Sequence, residues 1–331
     1  MRILVTGGSG FIGTNLTEAL IQKEIDFLNV DLATPKEETL LNYWKKCSIL
    51  DYEPLEKIFS EYKPTAVIHL AAETDTDPSR TMEDYKVNTE GTQNIIKAIQ
   101  ATPSVERFVL TSTQFVNQSQ EGPKHDQDYA PHTVYGESKI KTEDMLRSAS
   151  VNCIWTIIRP TNIWGPWHLR YPFEFWKVLA EGKYFHPGKQ KVIRSYGYVG
   201  NVVGQIIKIL TSSRKEVDRK VYYVGDRPID LYDWVNGFSL GQIGKKVVVF
   251  PRFFVRILAL IGDALRIVKI KFPITSSRYR SMTTNNPADM EKTYTELGQP
   301  PYTLQQGIDQ TIEWMKKKHP ELIKVKKKLD R

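Results

Sequence analysis

A short apolar strand, Ile3-Leu4-Val5-Thr6, runs directly into Gly7-Gly8-Ser9-Gly10-Phe11-Ile12-Gly13, and a helix-like segment from Thr14 to Lys23 follows. This order confines the chain to a small group of α/β folds. The early glycines permit a tight turn. Gly10 lets backbone approach a pyrophosphate where a Cβ would collide, and Gly13 lets the new helix pack closely on the strand. Phosphate oxygens then face the helix N-terminus.

A glycine-rich turn between strand and helix occurs without any ligand, so its surroundings decide what it means. Phe27-Leu28-Asn29-Val30 reads as a second strand and ends in Asp31, eighteen positions beyond Gly13. A carboxylate there can accept hydrogen bonds from a ribose 2′-hydroxyl. The plainer alternative for Asp31 is a cap or turn residue. A 2′-phosphate would be repelled, and neither Leu32 nor Ala33 offers a compensating positive charge. NAD is therefore expected over NADP, with Lys36 as the nearby cation that tempers the preference.

Strand-like runs recur at Ile3–Thr6, Phe27–Val30, Ala66–Leu70, Phe108–Thr111 and Ile154–Ile158, with helical segments such as Asp84–Ala101 and Tyr135–Ser148 between them. This alternation predicts a Rossmann-type doubly wound parallel sheet whose ligands lie at the carboxyl ends of the strands. After Arg159-Pro160 the regularity is lost. We place an NAD-binding domain at 1–165, to which a strand near 221–224 returns, a smaller, discontinuous and mainly substrate-binding domain at 166–318, and a basic tail at 319–331.

With 331 residues, 40% of them hydrophobic, the chain can bury a full core. Its net charge is +8, and the stretch 315–331 holds eight Lys/Arg against two Asp/Glu. This describes a solvated, partly frayed terminus rather than a nucleic-acid arm, with contact to an anionic membrane surface as an alternative. Cys47 and Cys153 are too few for a disulfide framework and imply a reducing, cytoplasmic compartment. The six histidines show no metal-ligand spacing, Met1 leads straight into the first strand, and no metal is expected. Phe253 to Ile270 is interrupted by charge and is too broken to span a membrane. Arg252, Arg256, Asp263 and Arg266 fall within about 80° of one another on a helix, leaving the opposite side apolar. The expectation is core packing in the second domain, with a membrane-surface helix as the alternative.

Tyr135-Gly-Glu-Ser-Lys139 puts a phenol and an ammonium on one face of the helix they begin. About two Tyr-x-x-x-Lys/Arg pairs arise by chance in such a composition, so the pair gains meaning from its place between strands. A nearby ammonium and an oxidised nicotinamide would both favour phenolate and fit Tyr135 to act as base and acid. Ser112 and Thr113, at the end of the Phe108–Thr111 strand, offer hydroxyls to a reacting oxygen, or else ordinary strand-end turn chemistry.

At this point the chain resembles the extended short-chain dehydrogenase/reductases, and within them the NAD-dependent nucleotide-sugar epimerase/dehydratase group, of the UDP-glucose 4-epimerase kind. The resemblance runs from Met1 to about Lys318. It rests on the glycine motif at 6–13, Ile68-His69-Leu70-Ala71-Ala72, Val87-Asn88-Thr89-Glu90-Gly91-Thr92, Thr111-Ser112-Thr113, Tyr135 to Lys139, and Arg159-Pro160-Thr161-Asn162-Ile163-Trp164-Gly165-Pro166. It implies Thr113 as the catalytic hydroxyl, Tyr135 as the base and Lys139 as a ligand of the nicotinamide ribose. Gly7, Gly10, Phe11, Ile12, Gly13, Asp31, Ser48, Ile49, Leu70, Ala71, Ala72, Asn88, Thr111 and Pro160 then line the cofactor, together with Tyr135 and Lys139. Thr113, Gln114 and Asn162 meet the substrate, Arg194 clamps its phosphates, and Arg278 or Arg280 adds a second clamp. The resemblance also implies a homodimer.

Several positions depart from the group's pattern. The carboxylate usual near the adenine is Ser48 in Cys47-Ser48-Ile49-Leu50-Asp51, and the usual Val-Tyr-Gly is Val116-Asn117-Gln118. Where sugar 4,6-dehydratases of the group carry Asp-Glu, this chain has Gln114-Phe115, and neither side chain exchanges a proton. Dehydration and decarboxylation are therefore disfavoured. The expectation is C4 epimerisation of a UDP-hexose through a transient 4-keto sugar, with NAD retained. A reductase or dehydrogenase acting on a keto sugar or another small ketone uses the same residues and remains an alternative. A cofactor-sensing binding protein is a third, opposed by the intact Thr113, Tyr135 and Lys139 set.

Overall fold

The computed structural model describes residues 1–119, 122–267, 270, 272 and 274–324. Six strands alternate with helices in its first half: β1 (Arg2–Thr6), β2 (Asp26–Asp31), β3 (Trp44–Lys46), β4 (Ala66–His69), β5 (Arg107–Thr111) and β6 (Ile154–Pro160). Between them lie α1 (Phe11–Gln22), α2 (Tyr52–Tyr62), α3 (Lys86–Gln100) and α4 (Val134–Ser148). The chain continues through α5 (Tyr171–Ala180), α6 (Val199–Thr211), α7 (Arg214–Val217), α8 (Leu231–Ile243), α9 (Arg252–Ile267), α10 (Ser276–Thr283), α11 (Glu291–Leu297) and α12 (Leu304–Lys318).

Residues Met1–Ile163, Val199–Gly225 and Ala288–Pro301 form one compact unit. Its sheet has seven parallel strands in the order β3, β2, β1, β4, β5, β6 and the Lys220–Val224 strand. The sheet is buried on both sides, so its strands read as unbroken apolar runs whose alternate residues serve opposite faces. Ile3 and Val5 enter the core with α1 and α6, while Leu4 enters the one with α2 and α3. Strand order reverses at β1, and the crevice beyond the ends of β1 and β4 is where such sheets take ligands. The second unit holds Trp164–Tyr198, Asp226–Pro287 and the chain from Tyr302 onward. Trp164 and Phe238 are edge-to-face within it, as are Trp234 and Phe238.

Two surface expectations change. The apolar side of α9 does not supply a core: Val255, Ala259 and Gly262 are its buried residues, while Phe253, Leu260 and Ile267 stand exposed. Small side chains let the neighbouring chain approach on the side next to the charges. The stretch after α12 is not frayed as far as Lys324. Leu322 is buried, and Gln242 of α8 donates to the Leu322 carbonyl at 3.1 Å and accepts from the Lys324 amide at 2.7 Å. The rest of the basic tail, 325–331, lies outside the described residues.

His69, at the end of β4, is fully enclosed, with Nδ1 2.6 Å from the Thr6 hydroxyl and Nε2 3.0 Å from the Thr92 hydroxyl. Burial, helped by the charge of Lys139, holds its pKa down to about 3. The folded protein therefore keeps a neutral ring while the unfolded chain takes up a proton below about 6.5, so this contribution is complete above 6.5 and declines as pH falls towards 3. Urea unfolding should show stability falling from pH 6.5 to 5 in the parent protein and falling less steeply in His69→Gln. Parallel slopes would remove His69 as the cause.

Candidate active site

The turn after β1 is built as its glycines require. Gly7 sits at φ +74°, and a Cβ there would come 2.5 Å from the Ala71 amide nitrogen. Its amide donates to the Val30 carbonyl at 3.0 Å, and Gly10 caps α1 without a side chain. Gly13 packs against the Gly7-Gly8 turn, where a Cβ would stand 2.6 Å from Gly8 Cα, rather than against the strand. The space beside Gly10 is open apart from the Gly7 carbonyl, 3.1 Å from an added Cβ. Such a cradle admits a pyrophosphate at the start of α1. Phe11 and Ile12 begin that helix, and Leu70 and Ala71 are bonded to Thr6 at the end of β1.

Asp31 closes β2, with its carboxylate accepting from the Ser9 and Ala33 amides at 2.9 Å each. Lys36 reaches back, its Nζ 3.3 Å from the Ser9 carbonyl, so the positive charge near Asp31 comes from Lys36 and not from its immediate neighbours. Ser48 and Ile49 follow β3: the Ser48 hydroxyl accepts from the Leu50 amide at 3.1 Å, and Ile49 is buried. Asn88 joins two walls of the site, since it donates to the Glu73 carbonyl and to the Ser138 hydroxyl at 2.9 Å each and accepts from the Glu73 amide at 2.8 Å.

Thr113 follows β5, its hydroxyl accepting from the Phe115 amide at 3.3 Å, and Tyr135 opens α4. Gly136 lets the start of α4 lie close against the segment after Thr113, because a Cβ there would stand 2.5 Å from the Phe115 carbonyl. The Tyr135 ring lies edge-on to Phe115 at 6.3 Å and tilted to Tyr85 at 6.1 Å. One turn further, Lys139 is 2% exposed. Burial lowers its pKa to about 8, although Glu143 opposes the shift. Burial raises the Tyr135 phenol to about 12, with the Thr113 bond pulling the other way. The expected depression towards neutrality is therefore not a property of the protein alone, since removing water from a phenolate costs more than the neighbouring groups return.

Ser112 and Thr113 have separate tasks. Ser112 donates to Glu143 at 2.6 Å, and Arg159 grips the same carboxylate through Nε at 2.9 Å and Nη2 at 2.7 Å. Tyr129 adds a bond of 3.0 Å. The sequence reading passed over Glu143, His69 and Ser138, yet a signal existed for two of them: a carboxylate one turn beyond Lys139 and a polar side chain inside an apolar strand. Buried atoms without partners mark where a ligand would complete the site, namely Thr111 Oγ1 at the end of β5 and Gln114 Nε2 beside Thr113. Pro160 and Asn162 follow at the end of β6.

The three arginines belong to the second unit. Arg194 donates through Nη1 to the Thr284 carbonyl at 3.0 Å, lies beside the Tyr196 ring, and keeps its Nε buried without a partner. Arg278 and Arg280 are exposed on α10 and point about 200° apart, so one phosphate cannot take both.

No helix among the described residues is long and apolar enough to cross a membrane. The chain is 28% identical over 327 residues to the N-acetyl-α-D-glucosaminyl-diphospho-ditrans,octacis-undecaprenol 4-epimerase of Escherichia coli O157:H7, covering 95% of each. It is 26% identical to dTDP-glucose 4,6-dehydratase 1 of Escherichia coli K12, covering 95% of this chain and 92% of the relative. Its fold is that of the UDP-glucose 4-epimerase of Thermotoga maritima solved with UDP-glucose, at TM-score 0.71 and 24% identity over 96% of this chain and 99% of that one. The NAD dependent epimerase/dehydratase family model matches residues 3–225, two thirds of the chain, and with the phosphate cradle and the Thr113, Tyr135 and Lys139 set already in place, the chain belongs to that family.

Proposed function

We propose that this enzyme is a sugar 4-epimerase acting on a hexose carried by a diphosphate, with a UDP-hexose as the first substrate class. One observation supports the reading: Tyr135 and Lys139 are buried one turn apart on α4, with the Tyr135 ring against Phe115 of the segment that Thr113 opens, while the two side chains after Thr113, Gln114 and Phe115, cannot exchange protons. NAD, which the Gly7–Gly13 turn and Asp31 would hold, would supply reversible hydride transfer at sugar C4. Tyr135 takes the proton of the C4 hydroxyl and gives it back, and Thr113 holds the oxygen between them. Lys139 supplies positive charge beneath the site. Gln114 Nε2, buried and without a partner, is suited to hold a sugar oxygen while the 4-keto sugar presents its other face. Arg194 is suited to a diphosphate oxygen through its free Nε. We further propose a homodimer in a reducing, cytoplasmic compartment, in keeping with the unpaired, buried Cys47 and Cys153. A second carrier, polyprenyl diphosphate, is favoured by the full-length likeness to the undecaprenol-linked 4-epimerase.

Incubated without added cofactor, the purified protein should interconvert the C4 stereoisomers of UDP-glucose, UDP-N-acetylglucosamine or undecaprenyl-diphospho-N-acetylglucosamine, and the substrate it turns over identifies the carrier. Nicotinamide absorbance should return to its starting value. Accumulation of a 4-keto-6-deoxy sugar, or steady consumption of added NADH, would sink the assignment.

Two substitutions test the roles. Tyr135→Phe should lower turnover by roughly 10²–10⁴-fold, the usual worth of a positioned acid/base, while NAD binding followed by calorimetry survives. Arg194→Ala should weaken the sugar diphosphate by about 1.5–3 kcal/mol and leave NAD untouched. Equal loss of both ligands would make Arg194 structural.

A further inference from the structure

Helix α9 is turned inside out. Two of its four charged residues turn to the protein, Asp263 accepting from the Ser276 amide at 3.2 Å and Arg252 donating to the Pro187 carbonyl at 3.3 Å, while Arg256 and Arg266 are exposed. The buried stripe, Val255, Ala259 and Gly262, lies next to those charges, and at Gly262 an added methyl would stand 2.8 Å from the Phe272 ring. The apolar side is left outward. Phe253, Phe254, Ile257, Leu260, Ile261 and Ile267 occupy a continuous arc of about 140°, and Phe253, Leu260 and Ile267 are 68%, 58% and 84% exposed. Exposed apolar patches of this kind mark an interaction surface.

Charge identifies the occupant. Residues 245–280 hold nine Lys/Arg against the single Asp263, a net of +8, which equals the charge of the whole chain. Every other residue together sums to zero. Arg256, exposed, borders the apolar arc, and Lys245 and Lys246 precede the Val248–Phe250 strand that leads into α9. A second copy seated on this face across a two-fold axis would set +8 against +8. An anionic bilayer meets the same surface with opposite charge and with acyl chains for the aromatic and aliphatic side chains.

We propose that α9 is a membrane-surface helix that docks the second unit on anionic phospholipid, with its apolar arc in the headgroup region and its flanking cations on lipid phosphates. A polyprenyl-linked sugar resides at such a surface, but the proposal does not depend on that substrate.

The test is sedimentation of the full-length protein with vesicles. The protein should partition onto phosphatidylcholine vesicles containing about 30% phosphatidylglycerol at least tenfold more strongly than onto phosphatidylcholine alone. Raising NaCl from roughly 0.05 to 0.5 M should weaken binding severalfold. Phe253→Ser with Leu260→Ser should cut partitioning about tenfold or more with the melting temperature unchanged, because both side chains are exposed. Ile257→Ser with Ile261→Ser should do the same. A parent protein that stays in the supernatant, or variants that bind equally well, would overturn the proposal. So would concentration-dependent self-association that the variants abolish in the absence of vesicle binding, which would make the arc an interface between copies. The vesicles carry neither sugar nor cofactor, so an inactive enzyme leaves this result standing and absent binding leaves the proposed reaction standing.

Discussion

The carboxylate of Glu143 is the point at which the ends of β5 and β6 are held to α4. It is fully buried on α4, one turn beyond Lys139, and receives Ser112 from the end of β5, Arg159 from β6 and Tyr129 from the loop before α4. A charge removed from water is tolerated only with such complete pairing, and the pairing fixes geometry more than it adds stability. Because Ser112 is tied down, Thr113 must emerge at one place. Because α4 is tied down at Glu143, Tyr135 must stand two turns back along the same face. The places of Thr113 and Tyr135 are thus both set by a third group, Glu143.

A second polar path serves the cofactor side. Thr6, His69 and Thr92 link β1, β4 and α3, and Asn88, on that same helix, fastens the segment after β4 to Ser138 of α4. Neutral groups suffice there. A protonated ring beside Lys139 would add a second cation to a dry space, which is why burial and that ammonium together keep His69 neutral.

Much of this was legible in the chain. Parallel strands buried on both faces announce themselves as apolar runs, and the glycine turn, Asp31, Thr113, Tyr135 and Lys139 stand at strand ends or helix starts that such runs locate. The strand β3, Trp44–Lys46, was not legible: three residues, two of them lysine, form an edge whose pairing depends on β2 rather than on its own pattern. The amphipathy of α9 was legible but its direction was not. Periodicity identifies two sides of a helix and cannot say which one a neighbour covers. Here Gly262 and Ala259 decided it, because small residues permit closer packing than the phenylalanines opposite.

Burial acts on both Tyr135 and Lys139. Tyr135 and Lys139 lie in the same dry space, so one cause moves them in opposite directions, the phenol up to about 12 and the ammonium down to about 8. Both shifts favour the neutral forms. Thr113 opposes the phenol's shift without reversing it. A positive charge in that space favours the phenolate, since low polarity strengthens attraction between opposite charges. The burial that raises the Tyr135 phenol would thus also make it sensitive to the positive charge of an oxidised nicotinamide.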